Sequence, residues 1–192
     1  MYLPSDDSIL LADCIKDYHG NLALDIGVGS GIITETLCEN FKYVVGTDIA
    51  IETLKSYKES IVRYRQSNNN TASKPNMKFE LICTDAASAF RSNIFDLIVS
   101  NPPYLPDDYD NRGSKIDDRT IYGGPTGIEL TLHIITSSLS SLRRDGRVVT
   151  VVSSLSSISR LYQLTRQLNL SMKKIAQKKM FFEIVSVIEI GF

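Results

Sequence analysis

Leu22-Ala23-Leu24-Asp25-Ile26-Gly27-Val28-Gly29-Ser30-Gly31 runs from an apolar strand into three alternate glycines, and Ile32 to Glu39 behind it reads as a helix. Without Cβ atoms, glycines let a backbone turn sharply and let a ligand come close. A second apolar run, Tyr43-Val44-Val45-Gly46-Thr47, ends at Asp48. A carboxylate there is placed to grip a ribose diol or to cap the helix expected over Ile51 to Arg65. Working outward, helices are expected over Ser5–Asp17 (Ile9, Leu10 and Ile15 inward), Glu129–Leu142 and Ser156–Leu168. Further strands are expected over Met77–Cys83, Phe95–Ser100, Arg147–Ser153, Met172–Gln177 and Phe181–Ile190. The last two would pair antiparallel around Lys178-Lys179. Such alternation makes the chain α/β, with a mostly parallel sheet closed by an antiparallel C-terminal hairpin.

Asn101-Pro102-Pro103-Tyr104 stands directly after the apolar run Phe95-Asp96-Leu97-Ile98-Val99-Ser100. Two prolines end sheet pairing and stiffen the chain that follows. The result is a rigid loop at a strand's C-terminal end, where open α/β sheets bind their ligands. The side-chain oxygen of Asn101 and the carbonyl of Pro102 could each accept a hydrogen bond from a planar NH₂ group. Tyr104 could lie flat against the same group. That arrangement suits chemistry on an amide or amino nitrogen.

Together these motifs resemble class I S-adenosylmethionine-dependent methyltransferases, within the amino- and amide-N group that carries Asn-Pro-Pro-Tyr. The similarity is greatest to HemK-like release-factor glutamine methyltransferases in their short archaeal and eukaryotic form. The G-x-G-x-G spacing, preceded by Asp25, fits that pattern and departs from the G-x-G-x-x-G of dinucleotide folds. Tyr2-Leu3-Pro4-Ser5-Asp6-Asp7-Ser8 resembles the family's cofactor-capping start, and Gly123-Gly124-Pro125-Thr126-Gly127-Ile128-Glu129 its segment after the catalytic loop. Tyr122 stands where many relatives carry Trp. The resemblance implies a Rossmann-like, seven-stranded sheet. It implies S-adenosylmethionine held by Tyr2, Pro4, Asp7, Ser8, Asp25, Gly27, Gly29, Gly31, Asp48, Ile49, Asp85, Ala86 and Asn101. Asn101, Pro102 and Tyr104 would carry catalysis, with Asp85 beside the adenine.

Composition narrows the choice. A chain of 192 residues with 43% hydrophobic content can bury one substantial core, so a single domain over residues 1–192 is expected. A formal net charge of −1 gives no global pull toward nucleic acid. No apolar run reaches membrane-spanning length, and the start lacks a secretory pattern, so a cytoplasmic protein is expected. Cys14, Cys38 and Cys83 are scattered, and are expected as buried small hydrophobes in a reducing compartment. His19 and His133 stand alone in the sequence, so no metal site is expected. Lys173, Lys174, Lys178 and Lys179 read as a solvated hairpin face.

The Asn-Pro-Pro-Tyr loop does not by itself separate a glutamine amide from the exocyclic amine of adenine or guanine. Between Leu105 and Ile121, Asp107, Asp108, Asp110, Asp117 and Asp118 outweigh Arg112, Lys115 and Arg119. An acidic lip repels phosphates, which favours the glutamine of a release-factor Gly-Gly-Gln loop over RNA or DNA. A lysine of another protein is the further alternative. The resemblance also implies a small zinc-binding activator on the edge strand Met77–Cys83, where Met77, Phe79 and Leu81 would offer one apolar face.

Overall fold

The structure, a computed structural model, describes residues 5–67, 78–107 and 121–192, so Tyr2, Pro4 and Met77 lie outside the described residues, as does most of the acidic lip. Its elements in chain order are α1 (Asp6–Ile15), β1 (Gly20–Ile26), α2 (Ile32–Asn40), β2 (Phe41–Asp48), α3 (Ile51–Ser67), β3 (Phe79–Cys83) and β4 (Phe95–Ser100). They continue with α4 (Glu129–Ser138), β5 (Leu142–Ser153), α5 (Ile158–Gln167), β6 (Ser171–Lys179) and β7 (Ile184–Gly191). The strands form one sheet in the order β3-β2-β1-β4-β5-β7-β6. β1 to β5 run parallel, and β7 lies antiparallel between β5 and β6. The expected Rossmann-like architecture is therefore present.

Successive side chains of a strand point to opposite faces, and here both faces are covered. Ala23, Leu97, Val99, Val149 and Val151 pack under Leu11 and Ile15 of α1 and Ile33 and Leu37 of α2. Leu24, Ile98, Val148 and Val152 pack under Ile134 and Ile135 of α4 and Leu161 of α5. Each fully buried aliphatic side chain contributes about 1.5–3 kcal/mol, so the two layers clamp the middle of the sheet. That rigid centre carries the loops described below.

Several expected details differ. In α1 the core positions are Leu11, Ala12 and Ile15, while Ile9 is exposed, because the helical stripe repeats at i and i+4 from Leu11. Ser5 occupies the N-cap, but its hydroxyl bonds the Asp7 carboxylate rather than a backbone amide. Helix α4 stops at Ser138 and β5 already starts at Leu142, opposite Phe95. Asp145-Gly146 is thus an irregularity inside β5, not a turn before it. Arg143 pairs with Asp96 at 3.2 Å there, and a Cβ on Gly146 would stand 2.9 Å from the Phe95 carbonyl oxygen. Met180 to Glu183 form the β6–β7 turn, closed by Met180 N–H donating to Glu183 O at 2.8 Å, so Phe181 and Phe182 belong to the turn and not to a strand.

The cysteines are not buried: Cys14 and Cys38 are partly covered and Cys83 is exposed at the end of edge strand β3. Nor are Phe79 and Leu81 an uncovered face. They pack with Tyr57 and Leu54 of α3, the Phe79 and Tyr57 ring centres lying 5.9 Å apart. Among the described residues β3 is the outermost strand of the sheet on its side, with no strand along its outer edge. Among the described residues no helix is long and apolar enough to cross a membrane.

Candidate active site

Parallel pairing aligns Ile26 with Thr47 and with Ser100, and Asp48 with Cys83. Gly27, Asp48 and Asn101 therefore leave the sheet side by side, with Asp85 two residues beyond Cys83. At this brink Ser100 Oγ donates to Ile26 O at 2.8 Å, tying β4 to β1, and Thr84 N donates to Asp48 O at 3.1 Å. The parallel strands thus bring the expected glycine loop, ribose acid and prolyl loop together at one edge.

The glycine loop folds back on β2, with Gly27 N and Val28 N both donating to Thr47 O at 2.8 and 3.1 Å. Its glycines take φ of +85°, +49° and +86° at Gly27, Gly29 and Gly31. They serve different ends. A Cβ at Gly27 would meet nothing within 4 Å, and one at Gly29 only the Gly27 carbonyl oxygen at 3.8 Å. Both border open space where a ligand can approach the backbone. Gly31 instead begins α2 against the Tyr57 ring. Asp48 Oδ1 accepts from Ala50 N at 2.9 Å, so the residue supports the turn into α3. Burial raises its pKa, while the backbone amides of Ala50, Gly29 and Ile49 pull it down. Ile49 beside it is 76% exposed. Ala86, after Asp85, is buried with a positive φ of 45°.

Asp25 is fully buried at the end of β1. Its Oδ2 accepts from Thr34 Oγ1 at 2.6 Å, while Oδ1 has no partner. Burial pushes its pKa up to about 7, Thr34 opposes that, and the nearby Asp48 charge adds to it. The folded state therefore holds a proton that the unfolded chain, with an ordinary carboxyl, releases near pH 4. Ligand-free protein should lose stability relative to Asp25→Asn as pH rises from about 4 to about 7. Above that the gap stays constant, having changed by on the order of 4 kcal/mol. Melting curves of both proteins at pH 4 and pH 8 check this; an equal gap at the two pH values would contradict it.

The prolyl loop is fixed from α1. Asn101 Nδ2 donates to Ser8 Oγ at 2.8 Å, which turns Oδ1 away as a buried acceptor with no partner. Tyr104 OH donates to Asp7 Oδ2 at 2.9 Å, and Ser8 N donates to Asp7 Oδ1 at 2.7 Å. Burial, then Asp7, then the charge of Glu183 raise the Tyr104 phenol pKa, so it stays a neutral donor. Pro102 is buried, and its carbonyl accepts no hydrogen bond from the described residues.

The glycine-rich segment is a backbone clamp on the same loop. Gly123 N donates to Leu105 O at 2.8 Å and Asp107 N to Gly124 O at 3.0 Å. Added Cβ atoms would stand 2.5 Å from Pro103 O at Gly123 and 2.4 Å from Tyr104 O at Gly127. Glu129 closes the clamp by accepting from Thr126 N, Thr126 Oγ1 and Ile128 N.

The model of the methyltransferase small domain family matches residues 6–115, a span that holds both loops and α1. The chain belongs to that family. It is an S-adenosylmethionine-dependent N-methyltransferase of the HemK-like class I type. A Methanocaldococcus jannaschii protein named provisionally as a protein N5-glutamine methyltransferase is 29% identical over 189 residues, 98% of this chain and 90% of that one. A tRNA1(Val) (adenine(37)-N6)-methyltransferase of Aeromonas hydrophila is 31% identical over 99 residues, 52% of this chain and 39% of that one. The solved Mtq2–Trm112 complex of E. cuniculi, responsible for methylating the eRF1 translation termination factor, superposes with a TM-score of 0.75. Identity there is 22%, covering 99% of this chain and 97% of the other, and the likeness is one of fold.

Sequence reasoning missed His133. Its Nε2 lies 2.9 Å from Asp85 Oδ1 and orients that carboxylate, although 48 residues separate the two. Thr34 on Asp25 was missed as well. Neither leaves a local pattern in the sequence.

Proposed function

We propose that the chain transfers a methyl group to the glutamine amide nitrogen in the Gly-Gly-Gln loop of a class-1 translation release factor. One observation carries the reading: Asn101 presents a buried, unpartnered Oδ1 while its Nδ2 is anchored to Ser8. A buried acceptor without a partner costs about 1–3 kcal/mol, a cost that an incoming N–H relieves. The open space at Gly27 and Gly29 and the unpaired Asp25 Oδ1 fit a ligand with a cationic amino group and a ribose. In this proposal Asp7, Ser8, Asp25, Gly27, Gly29, Gly31, Asp48, Ile49, Asp85, Ala86 and Asn101 hold S-adenosylmethionine, joined by Tyr2 and Pro4.

When bound, S-adenosylmethionine supplies a methyl group already activated on a sulfonium. The protein's task is then mainly to position the acceptor. Amide nitrogen is a weak nucleophile because its lone pair is delocalised into the carbonyl. Asn101 Oδ1 and Pro102 O accept its two N–H bonds, fix its plane and stabilise the positive charge that develops on nitrogen. Tyr104, held by Asp7, packs its ring against that plane. After the N–C bond forms and the S–C bond breaks, the nitrogen releases one proton to water.

Asp7 and Glu183 bring carboxylates to the prolyl loop and Asp107 follows it in the chain, which favours a protein acceptor over a phosphate backbone. An activator subunit would pair with β3. Among the described residues that edge pairs with no further strand, whereas β6 at the other edge carries Lys173, Lys174, Lys178 and Lys179 and a register shift at Lys174/Ala176.

Incubation with isotope-labelled methyl donor, a matched release factor, structured RNA and DNA tests the reading, with and without a zinc-binding activator. Label confined to the release factor is expected. Label on nucleic acid alone would overturn the proposal in favour of an adenine or guanine acceptor.

A further inference from the structure

Phe181 and Phe182 form the most exposed apolar pair among the described residues, 99% and 92% accessible. Their ring centres lie 6.5 Å apart at 42°, at the tip of the β6–β7 turn. Two adjacent aromatic rings standing in water have no folding role, and such patches mark contact surfaces.

Their position says which contact. β7 runs antiparallel to β5 with Val185 opposite Ser153, so the turn projects beyond the C-terminal end of β5, the same edge as Asn101. Ser154 N donates to Ile184 O and Ile184 N to Ser154 Oγ, both at 2.9 Å. The Ser153 hydroxyl donates to Glu183, and the Ser156 hydroxyl to the Tyr104 carbonyl. Met180 at the base of the turn packs into the same apolar layer as Tyr104. The tip is thus tied through Ser153 and Ser154 to the segment whose Ser156 holds the prolyl loop. Leu155, 51% exposed, continues the apolar surface between them.

Charge decides the class of partner. The lysines of this hairpin are largely occupied: Lys178 pairs with Asp6 at 3.3 Å, Lys173 with Glu189 at 3.1 Å, and Lys174 bonds Gln177. Glu183 in the turn and Asp7 of α1 both act on Tyr104 electrostatically, while Lys179 stands exposed at the end of β6. An apolar tip whose neighbouring charges are mixed, with carboxylates on the side of the prolyl loop, suits a protein loop better than a run of phosphates.

We propose that Phe181 and Phe182 are the docking tip for the acceptor protein, seating an apolar side chain of its loop beside the glutamine to be methylated. This rests on the function proposed above. Both side chains are almost wholly exposed, so Phe181→Ser/Phe182→Ser leaves folding untouched.

Steady-state methylation of the release factor by wild type and this variant tests the proposal. KM for the release factor should rise at least about tenfold, while kcat at saturation, S-adenosylmethionine affinity and Tm stay within about twofold or a degree of wild type. Phe181→Leu/Phe182→Leu should recover most of the lost affinity. An unchanged KM overturns the inference while leaving the function intact. Loss of an activator subunit or of RNA binding, with KM for the release factor unchanged, assigns the tip to another partner and also overturns it. Failure of wild type itself to methylate the release factor sinks the proposed function and this inference with it.

Discussion

Asn101→Ala should lower kcat at least about a hundredfold while S-adenosylmethionine affinity changes by less than about tenfold. The substitution removes the one side-chain acceptor that the prolyl loop holds ready, buried and unpartnered. It also frees Ser8 Oγ, but that group is replaceable by water at the partly open helix start. A contact that strengthens as charge develops in the transition state is worth about 3 kcal/mol, and each 1.36 kcal/mol is a factor of ten in rate. The split between kcat and binding is informative, because a merely structural asparagine would lower both together. Isothermal titration and single-turnover methylation measure the two separately. Turnover above about a tenth of wild type would remove Asn101 from the chemistry.

Gly31→Ala should cost on the order of 2–5 kcal/mol of stability. The residue sits at φ +86°, where an L side chain is strained by roughly 1–2 kcal/mol. Its Cβ would stand 1.9 Å from Tyr57 Cε2, inside a ring that is 3% exposed and wedged between Val28 and Leu54. Overpacking of that kind adds about 1–3 kcal/mol. For a protein of this size the melting temperature should drop by about 5–15 °C. A double-mutant cycle with Tyr57→Ala isolates the cause. In the Tyr57→Ala background the alanine at 31 should cost only the backbone strain. Additive losses would show that the ring is not what the glycine avoids. Gly27→Ala, which meets no atom, should destabilise less and act chiefly through cofactor affinity.

The legible parts of this fold are those whose physics is local. β1 and β4 read clearly because strands buried on both faces are written as near-continuous apolar runs, here Leu22–Ile26 and Phe95–Ser100 with one aspartate in each. The glycines and prolines read clearly because each forces a backbone state. The join between α4 and β5 misled, since Leu139 to Leu142 continue a helical pattern, and only pairing of Leu142 with Phe95 across the sheet overrides it. The tip of the hairpin misled for a related reason. Phe181 and Phe182 carry high strand propensity, yet the Met180–Glu183 hydrogen bond places them in a turn.

In the site, the sequence named Asn101, Tyr104, Asp7 and Ser8 but not what they do to one another. Ser8 reaches Asn101 across 93 residues and Asp7 reaches Tyr104 across 97, so these pairs exist only once α1 lies over the edge of β4. His133 on Asp85 is likewise a tertiary contact, made across 48 residues between α4 and the residues just past the end of β3. Such contacts choose which atom of a side chain is left free, and that choice is what turns Asn101 from a turn residue into an acceptor.

The most direct measurement is tandem mass spectrometry of a matched release factor after reaction with wild-type enzyme and S-adenosylmethionine. The account predicts a gain of one methyl group on the glutamine of the Gly-Gly-Gln peptide, with hydrolysis releasing methylamine, and no gain on a factor whose loop glutamine is replaced. A methyl group on a lysine, or on a nucleobase in parallel reactions with an unmodified release factor, would contradict it.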